Sequence, residues 1–258
     1  MKEKILEKLS TIEAEENIKI LYACESGSRA WGFPSKDSDY DVRFIYVRDV
    51  DWYLRVDYQY QRDVVEHPID DLLDINGWDL KKALKLLRKS NPALIEWLNS
   101  PIVYRCDEAF AHKIRALIPA YYSSRACFYH YSHMANGNNR EYLQGELVKP
   151  KKYFYVLRPI LAMMWIEKNL GIVPLDFEIL VDSLVDDDGL LEDIKLLLRD
   201  KKSGFEAEQM PRIESISNFI NHQLDRLSSK AREFENREES FELLNRFFLS
   251  VVKRKVDN

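Results

Sequence analysis

The chain has 258 residues, 46% hydrophobic and 31% charged, with a net charge of −5. That length supports a sizeable core in one or two domains, and the acidic balance argues against a broad nonspecific nucleic-acid footprint, though not against a local basic site for phosphates. Three cysteines, Cys24, Cys106 and Cys127, with no CxxC pair, speak against a disulfide framework or a zinc ribbon. Met1 to Lys8 has no signal-peptide core and no apolar run is long enough to span a bilayer, so a soluble cytoplasmic protein with no membrane partner is expected.

In chain order, Ile5, Leu6, Leu9 and Ile12 recur at helical spacing and predict an amphipathic first helix. Ile18 to Cys24 reads as a buried strand. Glu25 to Ser38, with Gly27, Gly32, Pro34 and several serines, reads as a loop holding at most one helical turn. Asp39 to Val47 reads as a second strand. Arg48 to Arg62 fits either a strand or a short helix, and Val64 to Asn76 predicts one or two more strands. Leu80, Ala83, Leu84 and Leu87 mark a helix, and Asn91-Pro92 reads as an N-cap with proline at the first position of the next.

Beyond a boundary near Pro101 to Asp107 the chain reads as helical. Lys151 to Leu170 predicts a long helix. Ile213, Ile216, Ile220, Leu224 and Leu227 form an apolar stripe, and Phe241, Leu244, Phe247, Phe248 and Val251 form another. The expected layout is an α+β domain over residues 1–105 followed by a helical domain over 106–258.

The chemistry concentrates in Gly27-Ser28-Arg29-Ala30-Trp31-Gly32 and Ser38-Asp39-Tyr40-Asp41. Residues two apart on a strand share a face, so Asp39 and Asp41 would present paired carboxylates. Such a pair repels itself unless a cation lies between, and hard oxygen donors favour Mg²⁺ or Mn²⁺. Gly27, just past a buried strand, lets backbone N–H groups approach phosphate oxygens. Ser28 adds a hydroxyl, and Arg29 a charge for a phosphate. The competing reading of the stretch around Asp39 and Asp41 is a polar turn. Arg43 follows on the same face and either pairs with one of the aspartates or contacts the substrate directly.

This arrangement resembles the nucleotidyltransferase motif of the DNA polymerase beta-like superfamily: a Gly-Ser pair closing the first strand region, about ten residues, then Asp-x-Asp on the next strand. The longer run GSRAWGFPSKDSDYDVR looks like a bacterial and phage branch of that superfamily, which includes a form associated with phage RNA ligase. The likeness continues through Gly77-Trp78-Asp79, Asn91-Pro92, Glu96-Trp97 and Lys151-Lys152-Tyr153 to Arg158-Pro159. It implies a mixed sheet with flanking helices, a helical C-terminal domain, and metal-dependent transfer of a nucleoside monophosphate from a nucleoside triphosphate such as ATP. The acceptor hydroxyl is left open among RNA, protein and small molecules, and the oligomeric state is undetermined. A third carboxylate from a later strand belongs to the superfamily pattern; Asp74 is the first choice, with Asp70 and Asp71 as competitors, because a one-residue register change turns a strand side chain to the other face. The alternative function is a nucleotide-binding sensor or complex subunit that keeps the fold without turnover.

Other polar residues carry bland readings beside sharp ones. Lys151, Tyr155 and Arg158 share a helical face that either contacts the nucleotide or is simply solvated. His130 and His133 lack an evident partner for a metal site. Tyr153, Phe154 and Tyr155 read as core before they read as a base-stacking surface.

Overall fold

The computed structural model describes residues 1–68, 72–204, 208–235 and 240–254. The chain folds as two compact units. Met1–Ala30, Asp39–Tyr122 and the last described stretch, 240–254, form the first; Trp31–Ser38 and residues 123–235 form the second. The residue 105/106 boundary expected from the sequence lies inside the first unit, within β5 (Val103–Cys106) and before α6 (Glu108–Tyr121).

The first unit begins with α1 (Lys2–Glu16), whose Ile5, Leu9 and Ile12 are fully buried, as their spacing predicts. It continues through β1 (Lys19–Glu25), the single turn α2 (Gly27–Ala30), β2 (Tyr40–Val47), α3 (Val50–Tyr53), a 3₁₀ turn at Tyr58–Tyr60, β3 (Val64–Glu66) and β4 (Leu73–Asp79). Next come α4 (Leu80–Arg88) and α5 (Pro92–Leu98), then β5 and α6. The ambiguous stretch from Arg48 to Arg62 thus holds short helical turns, while Val64 to Asn76 spans β3 and most of β4. Asp39 immediately precedes β2 instead of opening it.

The sheet has the order β3-β4-β2-β1-β5. β2 and β4 run parallel, and every other pair is antiparallel, so the sheet is mixed. On one face, Val42, Phe44 and Tyr46 of β2 and Leu73 and Ile75 of β4 join Ile5, Leu9 and Ile12 in a single core. Alternation then turns Asp41, Arg43 and Asp74 to the opposite face. Gly77 is paired with Phe44, and a Cβ on it would lie 2.1 Å from the Phe44 ring, so only glycine fits there. Helix starts are chemically marked: Asp79, Asn91 and Asp107 accept backbone N–H groups from Lys81, Leu94 and Phe110 to cap α4, α5 and α6. The Asn91-Pro92 start matches the sequence reading.

The second unit is mostly helical: α7 (Ser124–Tyr142), α8 (Lys151–Glu167), α9 (Phe177–Leu184), α10 (Asp188–Ser203) and α11 (Glu214–Leu227), with a small antiparallel pair of β6 (Leu147–Val148) and β7 (Met210–Pro211). Helix α8 packs against α7, α9 and α11 and is the unit's apolar centre. Phe33 stacks on Phe154 at 4.8 Å and meets Phe177 edge-on at 5.4 Å. That aromatic cluster draws residues 31–38 into the helical unit, although they lie between two elements of the sheet unit. Helix α12 (Glu242–Arg254) belongs again to the first unit.

Candidate active site

The strand pairing decides which residues meet. In the parallel β2–β4 register Asp41 lies opposite Asp74, so the two carboxylates project side by side from one face of the sheet. Arg43, two residues along β2 on the same face, reaches back between them. Its Nη2 donates to Asp41 Oδ1 at 2.9 Å and to Asp74 Oδ2 at 2.7 Å, and its Nη1 donates to the Asp74 carbonyl at 3.1 Å. All three side chains are partly exposed, at 18% for Arg43, 29% for Asp41 and 32% for Asp74, so the group is accessible from solvent. Of the three candidates for the third carboxylate, the register places Asp74 beside Asp41; Asp70 and Asp71 lie outside the described residues.

Asp39 is exposed, one residue before the strand. Its carbonyl accepts the Nε–H of Arg29 at 3.1 Å, and the Arg29 guanidinium lies over the Tyr40 ring, 3.6 Å from its centroid. Burial pushes the Asp41 carboxyl above the ordinary carboxylate range. Arg43 pulls it back, and the negative charges of Asp74 and Asp39 raise it further.

Gly27 follows β1 with φ of +60°, a left-handed conformation that glycine adopts without strain. A Cβ at this position would lie 2.2 Å from Asp41 Oδ2, so the missing side chain is also the space that the Asp41 carboxylate fills. Ser28 is half-buried in α2, immediately after Gly27.

Two further residues complete the surroundings and escape a reading of the sequence. Glu25, the last residue of β1, is fully buried; its Oε1 accepts the Asp41 backbone N–H at 2.7 Å and its Oε2 accepts the Tyr104 hydroxyl. Burial raises the Glu25 carboxyl, while these two hydrogen bonds lower it. The one available signal was a charged residue ending an otherwise apolar strand; nothing local points to Tyr104, 79 residues away.

Lys151 and Arg158, also candidates for the nucleotide, belong to α8 of the second unit. Lys151 and Tyr155 are exposed. Arg158 is buried, with its guanidinium over the Trp31 ring at 4.6 Å. Tyr153 and Phe154 are core residues, as expected, whereas Tyr155 of the same run is exposed, against the expectation of a core position. His130 and His133 lie on α7.

The fit to a divalent cation is mixed. Among the described residues no group of three or more His, Cys, Asp or Glu side chains converges into a metal cage. The donor set is nonetheless all hard oxygen, and Asp41 feels both Asp39 and Asp74, the repulsion that a cation relieves. In this arrangement Arg43 is the positive charge between Asp41 and Asp74. Asp39 and Asp41 are the residues that would hold a Mg²⁺ or Mn²⁺ ion, and Asp74 would join them in competition with Arg43.

No helix among the described residues is long and apolar enough to cross a membrane. Comparison with known proteins places the chain more closely. It is 48% identical over 254 residues to the uncharacterized protein YcgL of Bacillus subtilis (strain 168), covering 98% of this chain and 97% of that protein. A crystal structure of a nucleotidyltransferase-like protein from Exiguobacterium sibiricum aligns over 97% of this chain and 80% of that one, at 9% identity and a TM-score of 0.33. Residues 1–250 match RlaP, the RNA repair pathway DNA polymerase beta family, and the chain belongs to that family.

Proposed function

We propose that this protein is a nucleotidyltransferase that moves a nucleoside monophosphate from a nucleoside triphosphate, ATP among them, to an acceptor hydroxyl and releases pyrophosphate. The observation that carries the reading is the pairing of Asp41 with Asp74 beside Gly27, with Asp39 one residue before the strand. A divalent ion bound there supplies charge neutralisation for the triphosphate and lowers the barrier to attack on its α-phosphorus. In this reading Asp39 and Asp41 bind that ion. Asp74, freed from Arg43, joins them or accepts the proton of the attacking hydroxyl. The backbone at Gly27 and the Ser28 hydroxyl bind the β- and γ-phosphates. Arg29 holds the Asp39 backbone and adds positive charge near the phosphates. Rate enhancement rests on positioning and electrostatics, with no covalent enzyme intermediate.

RNA is the acceptor class we favour, supported by the RNA repair pathway in the family's description. The second reading, a sensor that binds nucleotide without turnover, draws on Arg43, which already ion-pairs with two of the carboxylates. One experiment tests both. Full-length protein is incubated with each labelled nucleoside triphosphate and Mg²⁺ or Mn²⁺, with and without RNA carrying a free 3′-hydroxyl. The enzyme reading expects pyrophosphate release and label on an acceptor. Nucleotide binding with no pyrophosphate under any of these conditions supports the sensor and overturns the enzyme.

A further inference from the structure

The Asp39-Tyr40-Asp41 segment is held from behind by a residue outside the chemistry just described. The β1–β2 ladder ends at the Glu25–Val42 pair, so the next N–H along β2, that of Asp41, has no strand partner from β1. The Glu25 side chain supplies one. Its Oε1 accepts the Asp41 N–H at 2.7 Å, while the Ser26 N–H donates to the Asp41 carbonyl at 2.8 Å. Both backbone polar groups of Asp41 therefore end on residues 25 and 26, and the chain turns away at Gly27 directly against the Asp41 carboxylate.

Glu25 is itself held in place. It is 0% exposed, and its Oε2 accepts the Tyr104 hydroxyl from β5. Its backbone carbonyl accepts the Ser100 hydroxyl at 2.6 Å, and its N–H donates to the Ile102 carbonyl at 2.9 Å. A buried carboxylate is costly to keep, and an apolar side chain would fill the same strand end without that cost. What the carboxylate does here, and an apolar residue does not, is accept the Asp41 N–H.

We infer that Glu25, braced by Tyr104, is a positioning residue that sets the backbone of Asp41 and so the aim of its carboxylate, on which divalent-ion binding by Asp39 and Asp41 depends. The inference rests on the metal-binding reading above. Groups one step behind a metal ligand fix its orientation, and losing one weakens metal binding by about 10–100-fold.

Two conservative variants separate position from charge. Glu25→Gln keeps the reach of the acceptor and loses the charge; Glu25→Asp keeps the charge and shortens the reach by one methylene. Full-length ¹⁵N-labelled protein is used, with Mn²⁺ affinity measured by calorimetry and the Asp41 amide followed by NMR chemical shift and hydrogen exchange. Positioning predicts that Glu25→Asp moves the Asp41 amide, speeds its exchange and weakens Mn²⁺ binding by about tenfold or more, while Glu25→Gln stays within about threefold of wild type. Equal or greater weakening in Glu25→Gln overturns the inference in favour of charge. A lowered melting temperature in Glu25→Asp with unchanged Mn²⁺ affinity overturns it in favour of a purely structural role. A wild-type chain that binds no Mn²⁺ defeats the metal-binding reading instead, and the Asp41 amide then decides on its own whether Glu25 holds that residue.

Discussion

Gly27 and Asp41 occupy one space: a Cβ on Gly27 would lie 2.2 Å from Asp41 Oδ2. The glycine of the motif and the aspartate of the motif are therefore a packed pair, brought together because residues 25 and 26 hold the backbone of Asp41. Any side chain at position 27 must displace the carboxylate or move the turn, which already has a φ of +60°.

Gly27→Ala is accordingly expected to weaken Mn²⁺ and nucleotide binding together, with a drop in melting temperature from strain at a positive φ of about 1 kcal/mol or more. Ser28→Ala, which removes one hydroxyl, should weaken nucleotide binding by only about 0.5–1.5 kcal/mol, somewhat more if its partner is a charged phosphate, and leave Mn²⁺ binding unchanged. Calorimetric titrations of both variants with Mn²⁺ and with a nonhydrolysable triphosphate check this. A folded Gly27→Ala protein with wild-type affinity for both ligands contradicts the packing argument.

Arg43 ion-pairs with both Asp41 and Asp74, so it competes with any cation those carboxylates share. Arg43→Gln should leave the pair repelling in the absence of metal and lower stability. Added Mg²⁺ should then raise the melting temperature of the variant by more than it raises that of the wild type, since binding to the folded state stabilises it. Thermal melts with and without Mg²⁺ report the difference. Equal Mg²⁺-dependent gains in the two proteins count against competition.

Asp79 gives a pH dependence separate from the site. It is fully buried, caps α4 through the Lys81 N–H and accepts the Tyr53 hydroxyl at 2.6 Å, with Arg48, Asp63 and Lys81 as its charged neighbours. Burial pushes its carboxyl from 3.8 up to about 6, against the pull of those hydrogen bonds and of Arg48. The unfolded chain thus loses this proton near pH 4 and the folded chain near pH 6, so this group's contribution to stability falls as pH rises through that window and is flat above it. Asp79→Asn removes the titration. Its stability relative to wild type should rise between pH 4 and pH 6 by up to about 3 kcal/mol. Urea melts at half-unit pH steps measure this, and a difference that stays constant across the window sinks the assignment.

How much of this was legible beforehand follows from the range of each contact. The Gly27-Ser28 and Asp39-x-Asp41 motif was readable because its spacing is local, as were the α1 stripe and the Asn91 cap. The third carboxylate was not, because Asp70, Asp71 and Asp74 differ only in register. Register is set by the long-range pairing of β4 with β2. Tyr104 meets Glu25 across 79 residues, and Phe33 joins Phe154 and Phe177 of the helical unit, so neither relationship leaves a local pattern. The spacing of Arg158 with Lys151 predicts a face that contacts the nucleotide or is solvated, yet Arg158 is buried against Trp31, which the helical period alone does not reveal.

If the carboxylates of Asp39 and Asp41 bind the divalent ion for nucleotidyl transfer, as proposed, pyrophosphate release must depend on both. Wild type, Asp39→Asn and Asp41→Asn are compared with each nucleoside triphosphate, an RNA acceptor and saturating Mg²⁺, with one wild-type sample in excess chelator. Release is expected from wild type, none in chelator, and a loss of about 100-fold or more in each variant while circular dichroism shows both still folded. Undiminished release by either variant, or by wild type in chelator, contradicts it.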